Sequence, residues 1–153
     1  NLHGIYTQAT AYSAPITIAS PTRVDTMRLA MLQAALADVF ATGHVLHMHD
    51  WTAIELLKDT TGAYLFTNPF SPNTPSLWGL PVAETNHAAM ASKFLTGSFA
   101  EAAQIFDRED ANVVISTENA DDFEKNMISV RCEERLALAV YRPEAFVKGE
   151  FPA

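Results

Sequence analysis

The chain has 153 residues, enough for one domain with a real core. Apolar residues are 48% and charged residues 18%, a globular composition that excludes a disordered chain. Ten basic against 18 acidic residues give a net charge of −8, which repels phosphate backbones, and no apolar run reaches the ~20 residues that span a bilayer; neither specific nucleic-acid binding nor a membrane partner is expected.

The chain opens on Asn1, and "NLHGIYTQATAYS" reads as mid-chain loop and strand with no basic-then-apolar leader, so the sequence is expected to be part of a longer protein. "SPTRVDTMRLAMLQAALADVF" is the clearest helix. Ser20 suits the N-cap and Pro21 the first helical position. Val24, Met27, Met31, Leu32, Ala35, Leu36, Val39 and Phe40 form one apolar stripe at helical spacing, and Gly43 suits the stop. "HVLHM" reads as a strand. Asp50 then caps a short helix that places Trp51, Ile54 and Leu57 on one side. "KDTTG" is a turn and "AYLF" a short strand.

Residues 68–76, "NPFSPNTPS", hold three of the eight prolines and no periodicity, which marks a loop suited to partner contacts. "GLPVAET", "FLTGSF" and "ANVVISTE" read as strands, and "DDFEKN" as a turn. In "MISVRCEERLALAVY", Ile128, Val130, Cys132, Leu136, Leu138 and Val140 share one parity, interrupted by Glu134; this alternation predicts a long strand with Cys132 buried and inert. Pro143 ends it, and "AFVKGEF" is the last strand. The mixture of strands with few helices predicts an α+β fold.

Several residues invite chemistry. "GHVLHMHDW" places His44, His47, His49 and Asp50 within seven positions, and on a strand His47 and His49 would share a face, as metal ligands could. His44 and His47 would then face opposite ways, Asp50 is committed to a cap, and His3 and His87 stand alone, so no metal site and no cofactor is expected. A metal-dependent enzyme using His47 and His49 is the most distant alternative. There is no G-x-S-x-G elbow, no G-x-G-x-x-G and no Walker loop. Ser98 in "TGSF" reads as a turn residue. Cys132, as the sole cysteine, forms no internal disulfide. Glu133 and Glu134 could act as an acid–base pair. Ion pairing of such carboxylates with Arg108, Arg131, Arg135 and Arg142 is the reading preferred here.

Five stretches carry a family resemblance in order and spacing: "NLHGI", "DWTAIELLKDTTGAYLF", "LWGLPVAETN", "AAQIFDREDANVVIS" and "DDFEKNMISVRCEERLALAVYRPEAFVKGEF". Together they resemble the major capsid proteins of tailed phages, of the Hong Kong 97 type, over nearly the whole chain. The resemblance implies that fold, without its N-terminal arm, extended loop and spine helix. It implies an axial domain over residues 14–104, rejoined by 144–153, and peripheral-domain strands over 1–13 and 105–143. It implies a structural virion protein and no enzyme. Full-length copies, assembled in the cytoplasm of a bacterial host, would form the pentamers and hexamers of an icosahedral phage or prophage shell around DNA. This stretch alone would be a monomer or small oligomer. A nanocompartment shell of the encapsulin type is the alternative.

Site residues follow from the same resemblance. Asn68, Pro69, Phe70, Ser71, Pro72, Asn73, Thr74 and Pro75 correspond to the loop that crowds the capsomer axis. Asn126 and Glu133 match the asparagine and glutamate of an isopeptide crosslink made with a lysine of the extended loop. Arg131 and Glu109 stand where the crosslinking type has apolar wall residues, and the crosslink is expected not to form. Histidine is not called for at "GHVLHMHDW", so His47 and His49 are read as substitutions on a scaffold without metal.

Overall fold

The computed structural model describes residues 2–66, 74–118, 121 and 124–151. The chain divides into two compact units. The larger holds residues 3–103 and 140–153; the smaller holds 104–139 with the first two residues.

The larger unit is built on a six-stranded mixed sheet. Its strands are β1 (Thr10–Ala11), β2 (Gly43–His47), β3 (Ser76–Leu77), β4 (Leu80–Thr85), β5 (Lys93–Gly97) and, at the end of the chain, Phe146–Glu150, numbered β8. Their order is β1-β8-β5-β2-β4-β3. Central β2 runs parallel to β4, with His44 opposite Val82, and antiparallel to β5, with His44 opposite Thr96. Residues 3–13 belong to this unit because β1 pairs with β8. The helices are α1 (Ile5–Gln8), α2 (Arg23–Leu36) and α3 (Met48–Glu55).

Alternation along the strands sorts two cores. Leu46, Phe94 and Val147 pack against α2 and α3, meeting Val24, Met27, Ala30, Ala34, Trp51 and Ile54. Val45, Leu95 and Phe146 serve a second cluster with Ala9, Val39 and Ala145. Phe94 is fully buried, edge-on to Tyr12 at 5.7 Å between centroids and tilted against Phe151 at 5.2 Å. Gly97 is required by this packing: a Cβ there would stand 2.5 Å from the Ala145 carbonyl oxygen.

The α2 boundaries differ from the sequence reading. Thr22, not Ser20, is the N-cap, and with Asp25 it closes a capping box. Ser20 lies in the left-handed region at φ 50°. The helix stops at Ala37, well before Gly43, which opens β2. Asp38 turns left-handed at φ 57°, its N–H bonds to Ala35 O and the Val39 N–H to Ala34 O. This is a Schellman stop with aspartate where glycine is usual. The buried face is also rotated: Thr26, Leu29, Ala30 and Ala34 join Val24 and Met27 in it, while Leu36 and Phe40 are exposed. Residues 63–66 form no strand; only an isolated bridge joins Lys58 to Tyr64, next to the Asp59 turn that accepts from Thr61 and Ala63.

The smaller unit is a two-stranded sheet of β6 (Ala103–Ser116) and β7 (Ser129–Val140). β6 starts eight residues before the expected "ANVVISTE" strand. None of its described residues from 104 to 139 is buried. The parity expected on β7 is present, but a two-stranded ribbon has no second layer to receive it. Val130 is therefore exposed, and so is Cys132, which was expected to be buried.

One buried charge fastens the larger unit. Asp50 sits in the first turn of α3, 2% exposed, and its carboxylate lies 3.2 Å from the Arg23 guanidinium at the start of α2. Its other oxygen accepts the Ser92 backbone N–H at 2.8 Å. Asp50→Ala is expected to destabilise the chain by about 2–3 kcal/mol, since it strands that N–H and half-exposed Arg23. Asp50→Asn keeps an acceptor for Ser92 and should lose less. Urea titration of the three proteins checks the order, and an unchanged midpoint for Asp50→Ala would refute it.

Candidate functional site

The histidine cluster is not assembled by the fold. β2 ends at His47 and the chain turns directly into α3, so His47 and His49 do not share a strand face. His47, not Asp50, is the α3 N-cap: its Nδ1 accepts the His49 backbone N–H at 3.2 Å. His49 is exposed in the first helical turn. His87 does the same capping job for the 3-10 turn at 88–90, accepting from Ala89 at 3.2 Å. Among the described residues no three His, Cys, Asp or Glu side chains stand close enough to hold a metal ion.

His44 points the other way, into the protein. It is 1% exposed, and its Nδ1 shares a 3.0 Å hydrogen bond with Thr96 Oγ1. Nε2 is buried without a hydrogen-bond partner. Desolvation lowers the His44 pKa to about 4, partly opposed by the nearby Leu77 backbone, which stands outside hydrogen-bonding geometry with the ring.

Asn126 is exposed in a turn three residues before β7, in the left-handed region at φ 53°. Asparagine tolerates that conformation better than most residues. Glu133 lies on β7, its carboxylate 3.2 Å from the Arg131 guanidinium. Glu109 of β6 meets Arg135 of β7 at 3.4 Å. These are solvent-facing pairs, worth ~0–1 kcal/mol each. Glu133 and Glu134 are neighbours on a strand and point to opposite faces, so they form no acid–base dyad. Arg142 is placed elsewhere, donating to the Ala37 carbonyl at 3.3 Å.

Asn68, Pro69, Phe70, Ser71, Pro72 and Asn73 of the proline-rich loop lie outside the described residues. Thr74 and Pro75 line an apolar groove of about 290 Å³ with Trp51, Ile54, Leu77 and Trp78. Sequence reasoning missed this groove. Its wall is the two-residue β3–β4 hairpin, in which Trp78 and Gly79 both have positive φ, 54° and 79°. The turn matches the twist of the paired strands. Trp78 Nε1 donates to the Val24 carbonyl at 3.2 Å. The W-G dipeptide was the available signal, but a turn needing φ > 0 at tryptophan is not what propensity suggests.

The mixed sheet with two helices on one face has counterparts among solved capsid structures. The capsid of an empty GTA particle superposes with a TM-score of 0.70 at 18% identity, covering 99% of this chain and 57% of that one. A structure from Gordonia phage Cozz gives 0.71 at 16% identity, covering 97% and 51%. At these identities the likeness establishes fold alone. The sequence decides the family: the phage capsid family model matches residues 1–151, and the chain belongs to that family. It is 44% identical over 151 residues to the major capsid protein of Enterobacteria phage HK97, covering 99% of this chain and 39% of that protein. The chain thus spans about two fifths of that relative's length.

His44 gives the larger unit a defined acid response. Its folded pKa of about 4 lies below the unfolded value of 6.5. Between these values the unfolded chain binds a proton that the folded chain does not. Stability from neutral His44 is therefore intact above pH 6.5 and lost as pH falls toward 4, by about 3 kcal/mol in all. Urea unfolding across that window should show the loss in the native chain but not in His44→Gln; parallel pH profiles would exclude it.

Proposed function

We propose that this chain is part of a major capsid protein whose copies form pentamers and hexamers that tile an icosahedral shell around packaged DNA. The observation that carries the reading is the 44% identity to the HK97 major capsid protein across 151 residues. Residues 14–104, rejoined by 144–153, are read as the axial domain, and residues 1–13 with 105–143 as peripheral-domain strands; the compact units support nearby boundaries, except that residues 3–13 fall with the larger unit. Residues 68–75 are read as the loop at the capsomer axis. The partner is other copies of the same protein, the place is the virion, and assembly precedes it in the bacterial cytoplasm. The role is structural, with no catalytic or metal chemistry assigned. The net charge of −8 suits a shell that must release the DNA it encloses. Neither the nanocompartment nor the metal-enzyme reading has an observation in its favour.

Full-length protein expressed alone is expected to give capsomers or closed shells by electron microscopy, while residues 1–153 alone give a monomer or small oligomer by light scattering. A full-length protein that stays monomeric at high concentration would sink the reading.

The crosslink is read as absent. Joining a lysine Nζ to the Asn126 side-chain carbon, with loss of ammonia, needs a neutral lysine in a dry pocket and a carboxylate to take its proton. Glu133 is already held by Arg131, and Glu109 by Arg135, on a ribbon open to water. Proton transfer there competes with an ion pair and with solvent. Mature full-length particles should therefore run as single chains on a denaturing gel. High-mass ladders that disappear in Asn126→Asp would show the opposite.

A further inference from the structure

We propose that Leu36 and Phe40, at the C-terminal end of α2, form a knob that seats in the Trp51–Ile54–Leu77–Trp78 groove of a second copy of this chain. The proposal deepens, and rests on, the reading of the chain as a ring-forming capsid subunit.

The knob is conspicuous. Phe40 is 81% exposed and Leu36 70%, and Phe40 exceeds every other large apolar side chain among the described residues. Single exposed apolar residues need no explanation, but these two lie four positions apart at one end of α2, and the Schellman stop at Asp38 fixes the direction in which the chain carries Phe40 away from the helix.

The groove is preformed. Trp51, Ile54 and Leu77 are buried and make its floor. Trp78 is half-exposed and stands as its wall, held by a left-handed backbone and by the hydrogen bond to Val24. Its volume of about 290 Å³ admits an aromatic ring.

Placement selects the occupant. The groove reaches Val24 at one end of α2, and Leu36 is at the other, about 18 Å further along the helix axis. Knob and groove thus lie apart on one compact unit and cannot meet within a molecule. A protruding surface and its complement at opposite ends of one unit make a heterologous, head-to-tail contact, the kind that closes into rings. Charge agrees with that pairing. Exposed Asp38 and Glu101 flank Phe40, while Arg28 lies over the Trp78 ring at 5.8 Å. Arg142 stands beside Phe40, and Glu55 lines the groove, a second pair of opposite sign. In a subunit of charge −8, such pairs favour this approach over others.

The test uses the full-length protein and two independent readouts. Phe40→Glu should keep its melting temperature, because the side chain touches little in the free chain, yet lose capsomers; Phe40→Leu should restore them. Separately, Glu101→Cys with Ser76→Cys, in a Cys132→Ser background, places one thiol beside the knob and one at the groove rim; it removes one flanking charge but keeps Leu36, Phe40, Asp38 and the four apolar groove side chains. A short bismaleimide should then yield ladders longer than dimers in assembled particles. Each single-cysteine chain alone should yield none. Wild-type particle yield from Phe40→Glu, or particles of the double-cysteine protein without ladders, would overturn the contact while leaving the capsid reading in place; the latter result would assign the groove to another segment of the same chain. An unmodified protein that never forms capsomers would remove the capsid reading, and this contact with it.

Discussion

The carboxylate of Asp50 is the point through which the larger unit is tied together. It lies within the first turn of α3, where the helix dipole favours a negative charge. One oxygen faces Arg23 and the other accepts from Ser92, immediately before β5. Ser92 itself is left-handed, at φ 58°, so this hydrogen bond holds a backbone conformation serine seldom adopts. Arg23 in turn lies over the Phe151 ring at 5.6 Å. Two helix starts, the entry to a central strand and the end of the chain's last strand thus converge on one buried group. Desolvating a carboxylate is costly, and the Arg23 contact is close without the alignment of a hydrogen bond. What the pair contributes is therefore best seen as register: it fixes where α2 and α3 begin relative to the sheet, and with them the floor and wall of the groove.

How much of this could be read beforehand depends on the kind of signal each residue carries. β2, β5, β7 and the last strand were legible because alternation or β-branched content spans several residues. The face of α2 is legible in part: helical spacing puts Val24 and Met27 in the core, but it also points to Leu36 and Phe40, which are exposed, and passes over Ala30 and Ala34, which are buried. Hydrophobicity ranks leucine and phenylalanine above alanine, whereas close helix–sheet contact selects the smaller side chain. Capping was misplaced for a related reason. Ser20, Thr22 and Asp50 all have the right chemistry, and only the tertiary positions decide that Thr22 caps, that His47 caps, and that Asp50 is spent on Arg23.

Cys132 and Val130 show the converse error. Their parity on β7 was correct, yet parity says only which side of a strand a residue occupies, and burial needs a second layer. On a two-stranded ribbon neither side is covered within the described residues. Ile105, Val113, Ile115, Ile128 and Val130 are left facing water, far more apolar surface than a ribbon of this kind supports alone. The larger unit, with its two clusters, has no such deficit.

This contrast between the units bears on what a capsid subunit requires. A unit that carries its own core can keep a fixed surface, and a fixed surface can hold a knob and a groove apart at a set distance along one helix. A ribbon without a core cannot specify geometry by itself; its long strands and exposed apolar rows take their shape from whatever is laid against them. Its paired charges, Arg131 with Glu133 and Arg135 with Glu109, constrain it only weakly because water screens them. The division of labour that follows is physical. In the proposed assembly, the cored unit is the part able to set angles between neighbouring copies, and the ribbon, with its exposed apolar side chains, offers area that becomes stabilising once it is covered.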